Sequence, residues 1–213
     1  MQELTGSIPK PLVRIGDIPM LQHIMEIYAH YGHTNFVLAA GYKIECIAAW
    51  LEEAILPYQV ELVDTGLDTN TGGRIKLLVN RLSDQFMLTY GDGVSDVDLD
   101  ALLQYHNKHQ SCTTVTAAHP PSRFGNLGIE LDYVRNFNDT STGWINGGFF
   151  VCEPEALDYI HGDEAWESGA LDRMTKAGVL TAYRHEGFWQ CMDTVHDREY
   201  LEGLWKDGRP WAK

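Results

Sequence analysis

The chain has 213 residues, 44% of them hydrophobic, which is enough for one globular domain with a real core over 1–213. Its 30 acidic side chains outnumber 16 Lys and Arg, and a net charge of -14 repels polyanions, which excludes a sequence-independent nucleic-acid surface. A small phosphorylated ligand stays open, because it needs only a local cluster of donors or a metal. Cys46, Cys112, Cys152 and Cys191 are scattered with no Cys-x-x-Cys pair, against zinc or a disulfide framework and in favour of reduced thiols. No apolar run is long enough to cross a bilayer, and the first residues have neither the basic nor the apolar part of a signal peptide. The expectation is a cytoplasmic protein that engages neither membrane nor nucleic acid.

In chain order, apolar residues at Leu21, Ile24, Met25, Ile27 and Tyr28 predict a helix over residues 20–31, and the run 35–40 a buried strand ending at Gly41. A helix over 44–56, a strand over 58–63 and a helix over 72–82 follow. The run 85–90 is a second buried strand, stopped by Gly91, Asp92 and Gly93, before a helix over 98–108 and a strand over 112–118. The second half is richer in strands, at 128–131, 133–137, 145–152 and 180–185, with helices at 169–177 and 195–205. Strands separated by helices of this size indicate βαβ crossovers and a largely parallel α/β sheet sandwiched by helices. In such sheets ligands bind beyond the carboxyl ends of the strands, which singles out Gly41, Tyr42 and Asp92.

Four constellations carry candidate chemistry, each beside a plainer alternative. Asp92 between two glycines at a strand end suits a divalent metal bridging phosphates, or is an acidic turn ahead of an Asp98 helix cap. Lys10, held extended between Pro9 and Pro11, is a pre-positioned partner for phosphate or a solvated loop lysine. The polar, Gly-rich stretch 63–74 opens a helix whose free amides attract anions, or is a flexible loop before an ordinary helix. Asp193, after Trp189 and Gln190, caps the last helix or supplies a second carboxylate to the metal. Arg123, Phe124 and Gly125 form a turn, Gly147 and Gly148 a glycine bulge in a strand, and His106 and His109 have no nearby carboxylate or cysteine to complete a metal site.

The order of these signals is more specific than any one of them. Pro-Lys-Pro (9–11), Ala-Gly-Tyr-Lys (40–43), Val-Asp-Thr-Gly (63–66), Thr-Gly-Gly-Arg-Ile-Lys (71–76), Thr-Tyr-Gly-Asp-Gly-Val (89–94), Arg-Phe-Gly (123–125), Ile-Asn-Gly-Gly-Phe-Phe-Val (145–151), Gly-Phe-Trp-Gln-x-Met-Asp-Thr (187–194) and Tyr-Leu-Glu-Gly-Leu-Trp (200–205) follow one another along nearly the whole chain. This series resembles the glucose-1-phosphate cytidylyltransferases. The resemblance implies a Rossmann-like nucleotidyltransferase fold with a mostly parallel central sheet and a strand-rich acceptor-binding second half. It implies a reaction of CTP with a sugar 1-phosphate, α-D-glucose 1-phosphate first of all, giving CDP-sugar and pyrophosphate. By the same resemblance Asp92 and Asp193 hold Mg²⁺ and Lys10 contacts phosphate. Thr69, Gly72, Gly73, Arg74 and Gly91 meet the nucleotide, and Asp139, Asn146 and Gly147 the acceptor.

Three departures from the family pattern bear on these expectations. The family's opening strand and a loop of the form Gly-Gly-x-Gly-Thr-Arg stand ahead of the segment matching Met1 to Thr5. Without that strand, two neighbouring ladders lose a partner, and a non-catalytic nucleotide-binding relative is the alternative reading. The family's Phe-x-Glu-Lys-Pro is Phe137, Asn138, Asp139, Thr140 and Ser141 here, so Thr140 replaces a lysine at the acceptor site. The segment 51–61 is shorter than the insertion that makes subunit contacts in typical members, for which the resemblance implies a homo-oligomer.

Overall fold

The computed structural model describes residues 6–120, 127–130, 133–137 and 143–212. A 3₁₀ turn at Lys10–Leu12 leads into the hairpin β1 (Arg14–Ile15) and β2 (Ile18–Pro19), then α1 (Met20–His30), β3 (Asn35–Ala40), α2 (Ile44–Glu53), β4 (Gln59–Asp64), α3 (Thr71–Leu77), β5 (Phe86–Thr89), β6 (Gly93–Ser95), α4 (Leu99–His109) and β7 (Thr113–Ala118). The second half runs β8 (Leu127–Glu130), β9 (Tyr133–Phe137), β10 (Ile145–Cys152), a π-helical turn at Trp166–Leu171, α5 (Asp172–Ala177), β11 (Leu180–His185), β12 (Trp189–Cys191) and α6 (Val195–Asp207). The elements expected from periodicity are present, with ends shifted by a few residues. The helix expected over 72–82 stops at Leu77 and continues as a 3₁₀ turn, and β1, β2, β6 and β12 are too short for an alternation pattern to reveal.

The main sheet has the order β11-β7-β10-β5, and a separate parallel pair joins β3 to β4. β7 and β11 are parallel, but β10 runs antiparallel to both β5 and β7, so the sheet is mixed where the helix–strand alternation implied mostly parallel pairing. The reason lies in the connection. β10 reaches β7 through β8 and β9, which pair with each other, rather than through a crossover helix. The register of β10 shifts between Asn146 and Phe150, which is the glycine bulge expected from Gly147 and Gly148. Among the described residues β3 pairs only with β4 and β5 only with β10, and their apolar middles, Val37, Leu38, Met87 and Leu88, are only half-buried.

Strand alternation divides the core. Phe149 and Val151 of β10 face a cluster with Ile24 and Tyr28 of α1, Leu102 of α4 and Leu201 of α6. Phe150 and Cys152 point to the other side, against Ile75 of α3, Trp166 and Met174 of α5. Helix α1 belongs to both sheets: Leu21 and Met25 pack with Ala40 and Ile47 in a third cluster, on the face toward β3 and α2. Cys152 is fully buried and Cys112 partly so, and all four thiols are free. His106 is buried between Thr114 and Glu153, and His109 bonds the Tyr105 carbonyl, so both are structural.

The C-terminal end is fastened to α1 through a neutral histidine. His23 is 2% exposed; its Nε2 lies 2.9 Å from the Ile15 carbonyl, which can only accept, while the indole N–H of Trp211 donates to its Nδ1 at 3.2 Å. Those partners fit the Nε2–H tautomer and no imidazolium, since a second ring proton would face the indole proton. Burial lowers the pKa of His23 below 6.5, against the nearby carboxylates of Glu26 and Glu202 and with Arg209. A lowered folded-state pKa stabilises the fold above the unfolded value and loses that contribution as pH falls through the folded one. The thermal midpoint of the wild type should therefore fall more steeply between pH 7.5 and 5.5 than that of His23→Gln, with about 2–4 °C for each 1 kcal/mol in a chain of this length. Parallel slopes in the two melts would remove His23 from the pH dependence.

Candidate active site

Two short strands bring together residues about a hundred positions apart. β6 pairs antiparallel with β12, with Gly93 opposite Cys191, and the ladder continues one step as the Met192 amide donates to the Asp92 carbonyl at 2.9 Å. Asp92 therefore leaves β6 where Asp193 leaves β12. The cap of α6 is made by Thr194, whose hydroxyl accepts from the Asp197 amide, while the Asp197 carboxylate accepts from the amides of Thr194 at 2.8 Å and Asp193 at 3.0 Å. Asp193 is thus not the cap: its backbone is fastened and its carboxylate is left for the cleft. Asp98 does cap α4, accepting from the Ala101 amide.

Lys10 joins the two. Pro9 is extended, but Lys10 itself opens the 3₁₀ turn rather than an extended segment, with Leu12 and Val13 amides closing on the carbonyls of Pro9 and Lys10. Its ammonium donates to Asp92 Oδ2 at 2.8 Å and to Asp193 Oδ1 at 2.7 Å. The two carboxylate oxygens are therefore no farther apart than those two bonds laid end to end. Burial pulls the Lys10 pKa down, and the hydrogen bonds from Asp193 and Asp92 outweigh it and raise it overall. The other oxygen of Asp193 accepts from the Cys191 thiol at 3.2 Å, and burial together with Asp193 pushes that thiol up to about 12, which keeps it a donor. Gly91 has a packing role: a side chain there would press on Pro11, the ring that carries Lys10 toward the strand end.

The loop between β4 and α3 is built around Arg74. The Thr65 amide and hydroxyl both donate to the Ala40 carbonyl at the end of β3, Arg74 donates to Thr65 Oγ1 and to the Leu67 carbonyl, and the Thr69 hydroxyl donates to the Thr65 carbonyl. Of the two readings of the Gly-rich sequence, an open helix start and an ordinary helix after a loop, the hydrogen bonds of Gly72 and Gly73 match the second. The Gly72 and Gly73 amides donate to the Glu164 carbonyl, and side chains at these positions would run into the segment 163–166. The glycines admit that segment, and their N–H groups are spent on it.

At the start of β10, Asn146 and Gly147 reach the same rim. The Asn146 amide donates to Tyr90 Oη at 3.0 Å and its oxygen accepts from the Gly148 amide, while Trp189 Nε1 donates to the Gly147 carbonyl at 2.6 Å. Asp139 and Thr140, and the turn Arg123, Phe124 and Gly125, lie outside the described residues. Sequence reasoning missed Asp197, which holds the Asp193 backbone, and Glu167, which accepts from Tyr90. Asp197 was legible as the third helical residue after Thr194, the spacing of a capping box, whereas Glu167 has partners too distant in sequence to signal it.

Two carboxylates converging on one cation form the donor set that suits an ion bound by one or two carboxylates plus substrate oxygens. Among the described residues no group of three or more His, Cys, Asp or Glu is placed to hold a metal on protein ligands alone. This centre lies at the carboxyl ends of strands in an α/β sheet, the arrangement of a nucleotide-handling enzyme, and the chain belongs to the nucleotidyl transferase family, whose model matches residues 1–206. It is 40% identical over 240 residues to a glucose-1-phosphate cytidylyltransferase of Salmonella typhi, spanning 99% of this chain and 93% of that one. It is 36% identical to a probable glucose-1-phosphate cytidylyltransferase of Bacillus subtilis, spanning 98% and 92%. HddC from Yersinia pseudotuberculosis shares the fold, with a TM-score of 0.73 at 23% identity over 93% of this chain and 90% of that structure. The resemblance read from the order of motifs is borne out, as is the nucleotidyltransferase-type α/β fold.

Gly41 is the tightest point against the loop between β4 and α3. A Cβ there would collide with the Gly66 carbonyl and lie 2.8 Å from Arg74 Nη1, which is fixed by its bonds to Thr65 and Leu67. Gly41→Ala should cost about 1–3 kcal/mol, the usual penalty of overpacking against backbone. An unchanged urea midpoint would show that the loop gives way freely.

Proposed function

We propose that the chain transfers the cytidylyl group of CTP to a sugar 1-phosphate, α-D-glucose 1-phosphate in the first instance, giving CDP-sugar and pyrophosphate. The observation that carries this reading is the meeting of Asp92, Asp193 and Lys10 at one point. An oxygen of the sugar phosphate forms the new bond to the α-phosphorus of CTP, and the bond from that phosphorus to the departing pyrophosphate oxygen breaks. No covalent intermediate with the protein is required. The barrier is dominated by bringing two anions together and by charge on the leaving group, so the site's task is neutralisation and alignment. Asp92 and Asp193 would hold a magnesium ion, which when bound supplies charge neutralisation and a template for phosphate oxygens. Lys10 turns its ammonium from the carboxylates toward phosphate, Arg74 and Thr69 hold the loop that faces the nucleotide, and Asn146 and Gly147 face the sugar. The motif match and the identity to curated cytidylyltransferases support CTP and the sugar phosphate as substrates. A homo-oligomer and a cytoplasmic location are part of the same proposal; among the described residues no helix is long and apolar enough to cross a membrane.

Pyrophosphate release from CTP and glucose 1-phosphate with Mg²⁺ tests the reaction. Asp92→Asn should reduce turnover by about 100-fold or more while leaving the melt within a degree or two, because Asp92 is partly exposed and its carboxylate holds no helix or strand. A large loss of stability with intact turnover would make Asp92 structural. Lys10→Met should bind Mn²⁺ more tightly than the wild type in the absence of nucleotide, since it removes the cation already sitting between the two carboxylates, and should still lose turnover. Unchanged Mn²⁺ affinity by calorimetry would mean that the ion does not share the place of the ammonium.

A further inference from the structure

Beyond the proposed roles, one carboxylate ties the nucleotide side of the cleft to the acceptor side. Glu167 lies on the π-helical turn and splits its oxygens: Oε1 accepts from the Tyr90 hydroxyl at 2.6 Å, and Oε2 accepts from the Thr71 hydroxyl at 3.0 Å. Thr71 opens α3, the helix that carries Arg74, and its hydroxyl also receives the Trp166 amide. Tyr90 stands two residues before Asp92, and its oxygen accepts from Asn146. The ring is held in place by an edge contact with Phe150, and Gly148, at φ 78°, leaves it room.

The direction of the bonds in this chain is set from both ends, by Glu167, which only accepts, and by the Gly148 amide, which only donates. A carboxylate only accepts, so the Tyr90 hydroxyl must give its proton to Glu167 and present a lone pair to Asn146. Asn146 must then turn its NH₂ toward Tyr90 and its oxygen toward the Gly148 amide, as found. We infer that Glu167 is a positioning residue for the acceptor: through Tyr90 it secures, together with the Gly148 amide, which end of the Asn146 amide faces the sugar phosphate, and through Thr71 it keeps that amide in register with the nucleotide helix. This inference rests on the reading of Asn146 as an acceptor residue. Without Glu167 the tyrosine hydroxyl is free to rotate, and the Asn146 amide is held from the Gly148 side alone.

The test has two readouts. The first does not need turnover. The Asn146 side-chain amide resonance, assigned by its loss in Asn146→Asp, should shift in Glu167→Ala and in Tyr90→Phe, and should stay near its wild-type position in Glu167→Gln, which still accepts from Tyr90. An unmoved resonance in Glu167→Ala overturns the relay. The second is steady-state kinetics. Glu167→Ala should raise KM for glucose 1-phosphate about tenfold with kcat and the KM for CTP changed less than threefold, Glu167→Gln should restore most of it, and Tyr90→Phe combined with Glu167→Ala should add nothing further. Additive effects, or a fall confined to kcat, overturn the positioning role. Absence of wild-type turnover with every sugar phosphate sinks the proposed reaction instead, and the amide resonance still decides whether Glu167 sets the Asn146 orientation.

Discussion

The pairing of β6 with β12 is the constraint on which the site depends. Six residues make this ladder, and it is the means by which Asp92 and Asp193 share one place. Neither strand is held by itself. β6 is anchored in the core through Val94, fully buried, and β12 through Gln190, Met192 and the stacking of Phe188 on Trp211. The fastening of Trp211 to His23 therefore matters at the cleft, because the same aromatic packing backs the strand that delivers Asp193. A small separate antiparallel ladder gives rigid placement over two or three residues and then ends, which leaves the next side chains exposed to a ligand.

The two ends of the cleft are held by different physics. The end that holds Asp92, Asp193 and Lys10 is positioned by backbone: a ladder, a capping box and a 3₁₀ turn. The other end is positioned by side chains, Thr71, Glu167, Tyr90 and Asn146, mostly exposed and joined by single hydrogen bonds. Each such bond contributes only about 0.5–1.5 kcal/mol net, so this end is the more easily retuned by substitution.

Most of the frame was legible in the sequence because it obeys simple periods. The α1 stripe, the apolar runs of β3 and β5 and the Gly147, Gly148 bulge all announce themselves over a few residues. Lys10, Asp92 and Asp193 were found by residue type and by order along the chain, but their meeting was not legible, since it rests on strands of three residues with no alternation to read. The glycine-rich start of α3 left two readings open for a physical reason. Glycine marks both an open anion cradle and a place where another segment presses in, and here the carbonyl of Glu164 took the amides. Glu167 was invisible because its partners, Thr71 and Tyr90, approach only after two separate sections of chain have packed.

The charge of the site explains how so acidic a protein can accept a polyanion. Two carboxylates and one ammonium leave the centre negative, and like charges about 4 Å apart near a protein surface repel by up to about 4 kcal/mol, falling toward about 1 kcal/mol where water screens them. Asp193 is half exposed, which places it toward the screened end, but a triphosphate brings several charges at once. On the proposed reading Asp92 and Asp193 would hold a divalent cation that would make the sum of charges positive, and Lys10 would then be available to a phosphate. The ammonium between the carboxylates is then more than a resting salt bridge. It holds both of them within hydrogen-bond distance of one ammonium, so on the proposed reading the geometry for the reaction exists before the substrate arrives.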